Sequence, residues 1–128
     1  MINPSVREVE KGFDVVVVED DAVIREQLAD VFSDVGLRVT TARDGEEALA
    51  VIEGAPVRVV VSDLMMPGMN GWELAQTLRA QPRLADLPVL FITAVSNAHK
   101  VPAGPVFLKP LDVDSLLRAV KIHAGRLT

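Results

Sequence analysis

The chain has 128 residues, enough for one domain whose core holds without disulfide or metal staples. Hydrophobic residues make up 49% and charged residues 24%, as in an ordinary folded domain, and a net charge of −5 argues against direct nucleic-acid binding. There is no cysteine, hence no disulfide, thiolate metal site or Cys nucleophile, which suits a cytoplasmic location; no apolar run reaches the roughly 20 residues that span a bilayer, so no membrane role is expected.

Residues 1–12 read as a leader with the character of a disordered tail, since they hold Pro4, mixed charges and no periodic apolar face, and residues 13–128 read as the domain. Phe13 to Val18 is a buried strand of consecutive valines that stops at Glu19, Asp20 and Asp21. Asp21 to Gly36 predicts a helix, with Ile24, Leu28, Val31 and Val35 as its apolar stripe, Asp21 as cap and Gly36 as stop. A short strand over Leu37 to Ala42 precedes a second helix, Asp44 to Gly54, striped by Ala48, Leu49 and Ile52 and opened by acids.

The run Val57 to Val61 is the third strand, and it ends on a single carboxylate, Asp63, ahead of a Pro67-Gly68 turn. Met65, Met66 and Met69 read as packing and loop shape. Asn70 to Gln81 predicts a third helix facing inward through Trp72, Ala75 and Leu78, and Pro82 ends it. Leu87 to Ala94 is a fourth strand. Between 95 and 105, Pro102, Gly104 and Pro105 leave room for one helical turn at best. Val106 to Leu108 is a brief fifth strand leading to Lys109 and Pro110, and Asp112 to Arg126 closes the chain as a helix on Val113, Leu116, Leu117 and Val120.

Strands alternating with helices predict an α/β fold with a parallel sheet covered on both faces. All carboxyl ends of such strands share one edge, which gathers Glu19 and Asp20, Asp63, Thr93 and Lys109. Carboxylates about 5 Å apart repel by about 3 kcal/mol per pair at an effective dielectric near 20, and a hard divalent cation removes that cost. Mg²⁺ suits such a site because it takes carboxylate oxygens, keeps several waters and shares a phosphoryl oxygen. Lys109 and the Thr93 hydroxyl can meet the same phosphoryl group, and the carboxylate of Asp63 can accept it as an acyl phosphate.

The motifs VVVVEDD, VVSDLMMPGMNG, FITA and FLKP, in that order and spacing, make the chain resemble the receiver domain of bacterial two-component response regulators, the CheY-like family. The resemblance runs from about Val15 to Val120. It implies a three-layer flavodoxin-like fold with strand order 2-1-3-4-5. It places the phosphoacceptor on Asp63, Mg²⁺ carboxylates on Glu19, Asp20 and Asp63 with a metal-binding backbone carbonyl on Met65, the switch hydroxyl on Thr93 and the phosphate-pairing lysine on Lys109. Mn²⁺ is the alternative ion. A cis bond between Lys109 and Pro110 is also implied.

The implied partners are a histidine kinase or histidine phosphotransfer protein as donor, a separate output partner, and a second copy of the chain. The implied activity is that of a signalling phosphoacceptor which also hydrolyses its own acyl phosphate. Two departures bear on the readout. Only 16 positions separate Thr93 from Lys109, which predicts a short or absent fourth helix, and Val106 stands where the family usually has Tyr or Phe. Phe107 is expected on the other side of that strand. A constitutive docking or dimerisation module is therefore the alternative reading. A dehalogenase-type phosphatase would need Asp where Met65 stands, and a flavodoxin would need a phosphate-cradling loop in place of the first acids.

Overall fold

The computed structural model describes residues 12–94 and 104–125. Five parallel strands form one sheet: β1 (Phe13–Val18), β2 (Val39–Ala42), β3 (Val57–Asp63), β4 (Val89–Thr93) and β5 (Val106–Leu108). Their spatial order is β2-β1-β3-β4-β5. Four helices are described: α1 (Ala22–Asp34), α2 (Gly45–Gly54), α3 (Gly71–Arg79) and α4 (Val113–His123). The expected leader, apart from Gly12, and most of the segment expected to hold a short fourth helix lie outside the described residues.

The valine runs are buried on both faces, as a central parallel strand requires. Val16, Val18, Val60 and Phe91 pack on one side with α2 and α3. Val15, Val17, Val59, Val61, Leu90 and Ile92 pack on the other with α1 and α4. Register puts Val18 beside Ser62 and Asp63 beside Ile92, so β1, β3 and β4 end at nearly the same height. That common edge is where the acids converge.

Helix starts follow the caps. Asp21, Asp44, Asn70 and Asp112 each accept hydrogen bonds from backbone N–H groups of the first turn, and Asn70 and Glu73 form a reciprocal capping box. The inward stripes differ from expectation in detail. In α1 the fully buried residue is Phe32, while Val35 is exposed at the helix end; in α3 Leu74 is buried and Trp72 only partly so. The apolar arc of each helix is wide enough to admit more than one set of positions at a spacing of three and four.

At the opposite edge of the sheet lies a residue the sequence reading passed over. Asp14 is fully buried in β1, accepts the Arg38 N–H at 2.8 Å, and lies 3.6 Å from Arg38 Nε and 3.5 Å from Arg58 Nε. It therefore ties β1 to the entry of β2 and to β3. Asp14→Ala should cost about 2 kcal/mol in urea unfolding. That is less than the roughly 3–5 of a wholly buried pair, because both arginines reach water. The variant should keep any chemistry at the other edge.

Candidate functional site

Each candidate side chain is held by a strand end. β1 delivers Glu19 and Asp20, β3 ends on Asp63, β4 ends on Thr93, and β5 runs into Lys109. One carboxylate oxygen from each of Glu19, Asp20 and Asp63 lies within 4.8 Å of the other two. Glu19 and Asp63 are buried, and Asp20 faces solvent. Lys109 Nζ bridges the buried pair, donating to Glu19 Oε1 at 2.9 Å and to Asp63 Oδ2 at 3.0 Å. The second oxygen of Asp63, Oδ1, accepts the Met65 N–H at 3.0 Å. Thr93 is buried at the end of β4, and its carbonyl accepts the Lys109 N–H at 2.7 Å, which fixes the start of the lysine's loop. The Lys109–Pro110 bond is cis.

Burial pushes the Glu19 carboxyl up to about 7; its contact with Lys109 opposes the rise, and Asp20 and Asp63 add to it. For Lys109 burial works to lower the pKa, but the hydrogen bonds to Glu19 and Asp63 outweigh it and the value is raised. One lysine thus partly neutralises a site holding three acids. The donor set is all oxygen and the buried pair wants more positive charge than Lys109 supplies, which is what a hard divalent cation offers.

A raised carboxyl pKa keeps the proton longer in the folded state than in the unfolded one. Glu19 should therefore make metal-free protein lose stability as pH rises from 4.5 to about 7, by on the order of 3 kcal/mol. The difference in unfolding free energy between wild type and Glu19→Gln should fall over that window and level off above it. Divalent cation affinity should climb over the same interval, since the ion takes the ionised form.

Two residues add to the expected set. Arg25, one turn into α1, donates to Glu19 O at 2.9 Å and so steadies the acid loop. Ser62 is buried beside Asp63 and donates to its carbonyl at 3.0 Å. Both are polar groups serving backbone carbonyls, which side-chain periodicity does not reveal. Of the methionines, Met66 is buried and Met69 packs against the core, but the Met65 side chain is 58% exposed, so packing does not explain it. An apolar groove of about 310 Å³ opens next to Lys109, lined by Ile24, Leu28, Val31, Pro110, Leu111 and Val113 among others.

A family model of the response regulator receiver domain matches residues 15–121. The chain belongs to the response-regulator receiver family. The receiver is 39% identical to the probable transcriptional regulator ycf27 of Porphyridium aerugineum, across 65% of this chain and 33% of that one. It is 34% identical to the sensor histidine kinase RcsC of Salmonella typhi, across 88% of this chain and 12% of that one. The receiver thus spans a third or less of either relative. Among solved structures it resembles the response regulator TrrA of Thermotoga maritima in complex with Mg²⁺-BeF, with a TM-score of 0.77 and 30% identity over 85% of this chain and 96% of that one. Among the described residues of the receiver, no helix is long and apolar enough to cross a membrane.

Proposed function

We propose that the receiver accepts a phosphoryl group on Asp63 from the phosphohistidine of a histidine kinase or phosphotransfer protein, in the cytoplasm, with Mg²⁺ bound. The observation that carries this is the contact of one lysine with two buried carboxylates at the mouth of a parallel sheet. Glu19, Asp20, Asp63 and the Met65 carbonyl would hold Mg²⁺, with Mn²⁺ as a substitute. The ion supplies positive charge to the phosphoryl oxygens and offsets the repulsion between the acids.

The chain's own residues do the rest. An oxygen of Asp63 attacks phosphorus, the P–N bond to the imidazole breaks, and an acyl phosphate remains on Asp63. Lys109 leaves Asp63 Oδ2 and pairs with a phosphoryl oxygen, and the Thr93 hydroxyl donates to another. Water later cleaves the acyl phosphate and restores the carboxylate. The apolar groove beside Lys109 gives a phosphodonor protein a surface from which its histidine reaches Asp63. Output passes to a separate partner or to a second copy of the receiver. The likeness to parts of RcsC and ycf27 fits such a domain working within a larger signalling protein.

One observation favours a second reading, a docking module with an atypical switch. Val106 packs on the core face that also carries Phe91, whereas Phe107 packs on the opposite face. Thr93 lies two residues beyond Phe91 on the same strand, so the β5 position that shares its face holds a short aliphatic side chain rather than a ring. Beryllofluoride with Mg²⁺ separates the two readings. The switch predicts spectral changes that reach α4, and the docking module predicts changes confined to the acid cluster. No change anywhere would contradict the phosphorylation-driven switch.

A further inference from the structure

The loop of residues 64–70 joins the phosphoacceptor to α3. At its near end the Met65 N–H is held by Asp63 Oδ1 at 3.0 Å and the Leu64 carbonyl accepts the Gly71 N–H at 3.3 Å. At its far end it meets α2, an element with no residue in the acid cluster. The N–H of Gly45, the first residue of α2, donates to Met69 O at 3.0 Å. A Cβ at Gly45 would lie 2.6 Å from Met69 Cγ, 2.9 Å from its Sδ and 2.7 Å from its backbone oxygen. Gly45 does not have a positive φ, so its value here is space and not backbone freedom.

A methionine side chain can swing away from an added methyl group, but a carbonyl oxygen moves only with its loop. The backbone at Met69 would have to shift by at least a few tenths of an ångström, because Cβ contacts under 3.0 Å are essentially never seen. The other end is tethered: the Gly71 N–H donates to Leu64 O at 3.3 Å, and Gly71 packs so closely on the Asp63 carbonyl, which Ser62 also engages, that a Cβ there would overlap it. The displacement therefore falls on residues 65–69. Mg²⁺ demands near-ideal octahedral geometry at about 2.0–2.1 Å, so a ligand displaced by a few tenths of an ångström is a poor ligand.

We propose that Gly45 is a positioning residue for the metal site: its close approach to Met69 sets where the 64–70 loop presents the Met65 carbonyl. This rests on the reading that the acid cluster binds Mg²⁺ with that carbonyl as a ligand. Gly54, at the other end of α2, has nothing within 4 Å of its Cβ position and is the control for any change in helix propensity.

The test is a Mg²⁺ titration of wild type, Gly45→Ala, Gly54→Ala and the double variant Gly45→Ala/Met69→Ala, followed by Trp72 fluorescence. It is paired with thermal melts and the Met65 amide resonance of the metal-free proteins. Gly45→Ala should fold, shift the Met65 amide, and bind Mg²⁺ about tenfold more weakly, the lower end of what misplaced supporting groups cost a metal site. Gly54→Ala should bind as wild type. Met69→Ala removes the side-chain overlaps but leaves the backbone one. The double variant should therefore not recover Mg²⁺ affinity, and it serves if the single variant fails to fold. Wild-type Mg²⁺ affinity in either folded Gly45 variant, or an unmoved Met65 amide in Gly45→Ala, would overturn the proposal. Absence of Mg²⁺ binding by wild type would instead overturn the reading beneath it, and the amide shift of the metal-free variant would still decide whether Gly45 sets the loop.

Discussion

Asp63→Asn should abolish phosphorylation by acetyl phosphate and the spectral response to beryllofluoride. The amide keeps the size of the side chain; its single oxygen can still accept the Met65 N–H, its NH₂ takes the place of Oδ2, and Lys109 Nζ keeps Glu19 Oε1 as acceptor, so the fold should survive. What disappears is the anionic nucleophile, and a neutral amide forms no acyl phosphate. The substitution also takes one negative charge from a cluster whose oxygens lie within 4.8 Å of one another. At pH 8 without metal, the variant should lose little stability or gain some, because repulsion of Glu19 and Asp20 falls with the charge. Chemistry is then lost with little or no cost in stability. Urea unfolding beside intact-mass phosphorylation would show it.

Lys109→Met should do the reverse, damaging stability and chemistry together. The ammonium is shared by Glu19 Oε1 and Asp63 Oδ2, and removing it leaves two neighbouring buried carboxylates without their common cation. Breaking a buried pair from one side costs roughly 3–5 kcal/mol; the lysine side chain is 22% exposed, so the lower end, about 3 kcal/mol at pH 8, is expected. The loss should shrink towards pH 6, where Glu19, already raised to about 7, takes up a proton and ceases to need a partner. Saturating Mg²⁺ should also shrink it. Urea unfolding at pH 6 and pH 8, each with and without Mg²⁺, gives all four values. A loss equal in all four would mean that Lys109 contributes packing and not charge. Phosphorylation should slow sharply even with Mg²⁺ present, since the phosphoryl group loses its pairing cation.

The parts of the molecule legible from residues alone are those where one physical signal dominates. Unbroken valine runs ending in acids mark central parallel strands, and Asp21, Asp44, Asn70 and Asp112 mark helix starts because only short oxygen-bearing side chains satisfy the first N–H groups. Periodicity yields a parallel sheet but not its order; β2-β1-β3-β4-β5 followed from the motif resemblance. The same holds for the cis bond before Pro110. Asp14 escaped notice because an acid among valines shows no periodicity of its own, and its partners Arg38 and Arg58 lie far along the chain. Arg25 and Ser62 act on backbone carbonyls, and Gly45 acts by lacking a side chain. None of these leaves a pattern in the sequence. The pairing of Lys109 with Asp63 was legible as convergence on one edge, but its sharing with Glu19 needed coordinates.

The measurement that bears most directly on this account is the mapping of the phosphoryl group. Wild-type receiver incubated with acetyl phosphate and Mg²⁺ should gain one phosphoryl group, trapped by borohydride reduction at Asp63 and lost on chelation of the metal before phosphorylation. Modification at any other residue, or none under conditions where Mg²⁺ is shown to bind, would contradict it.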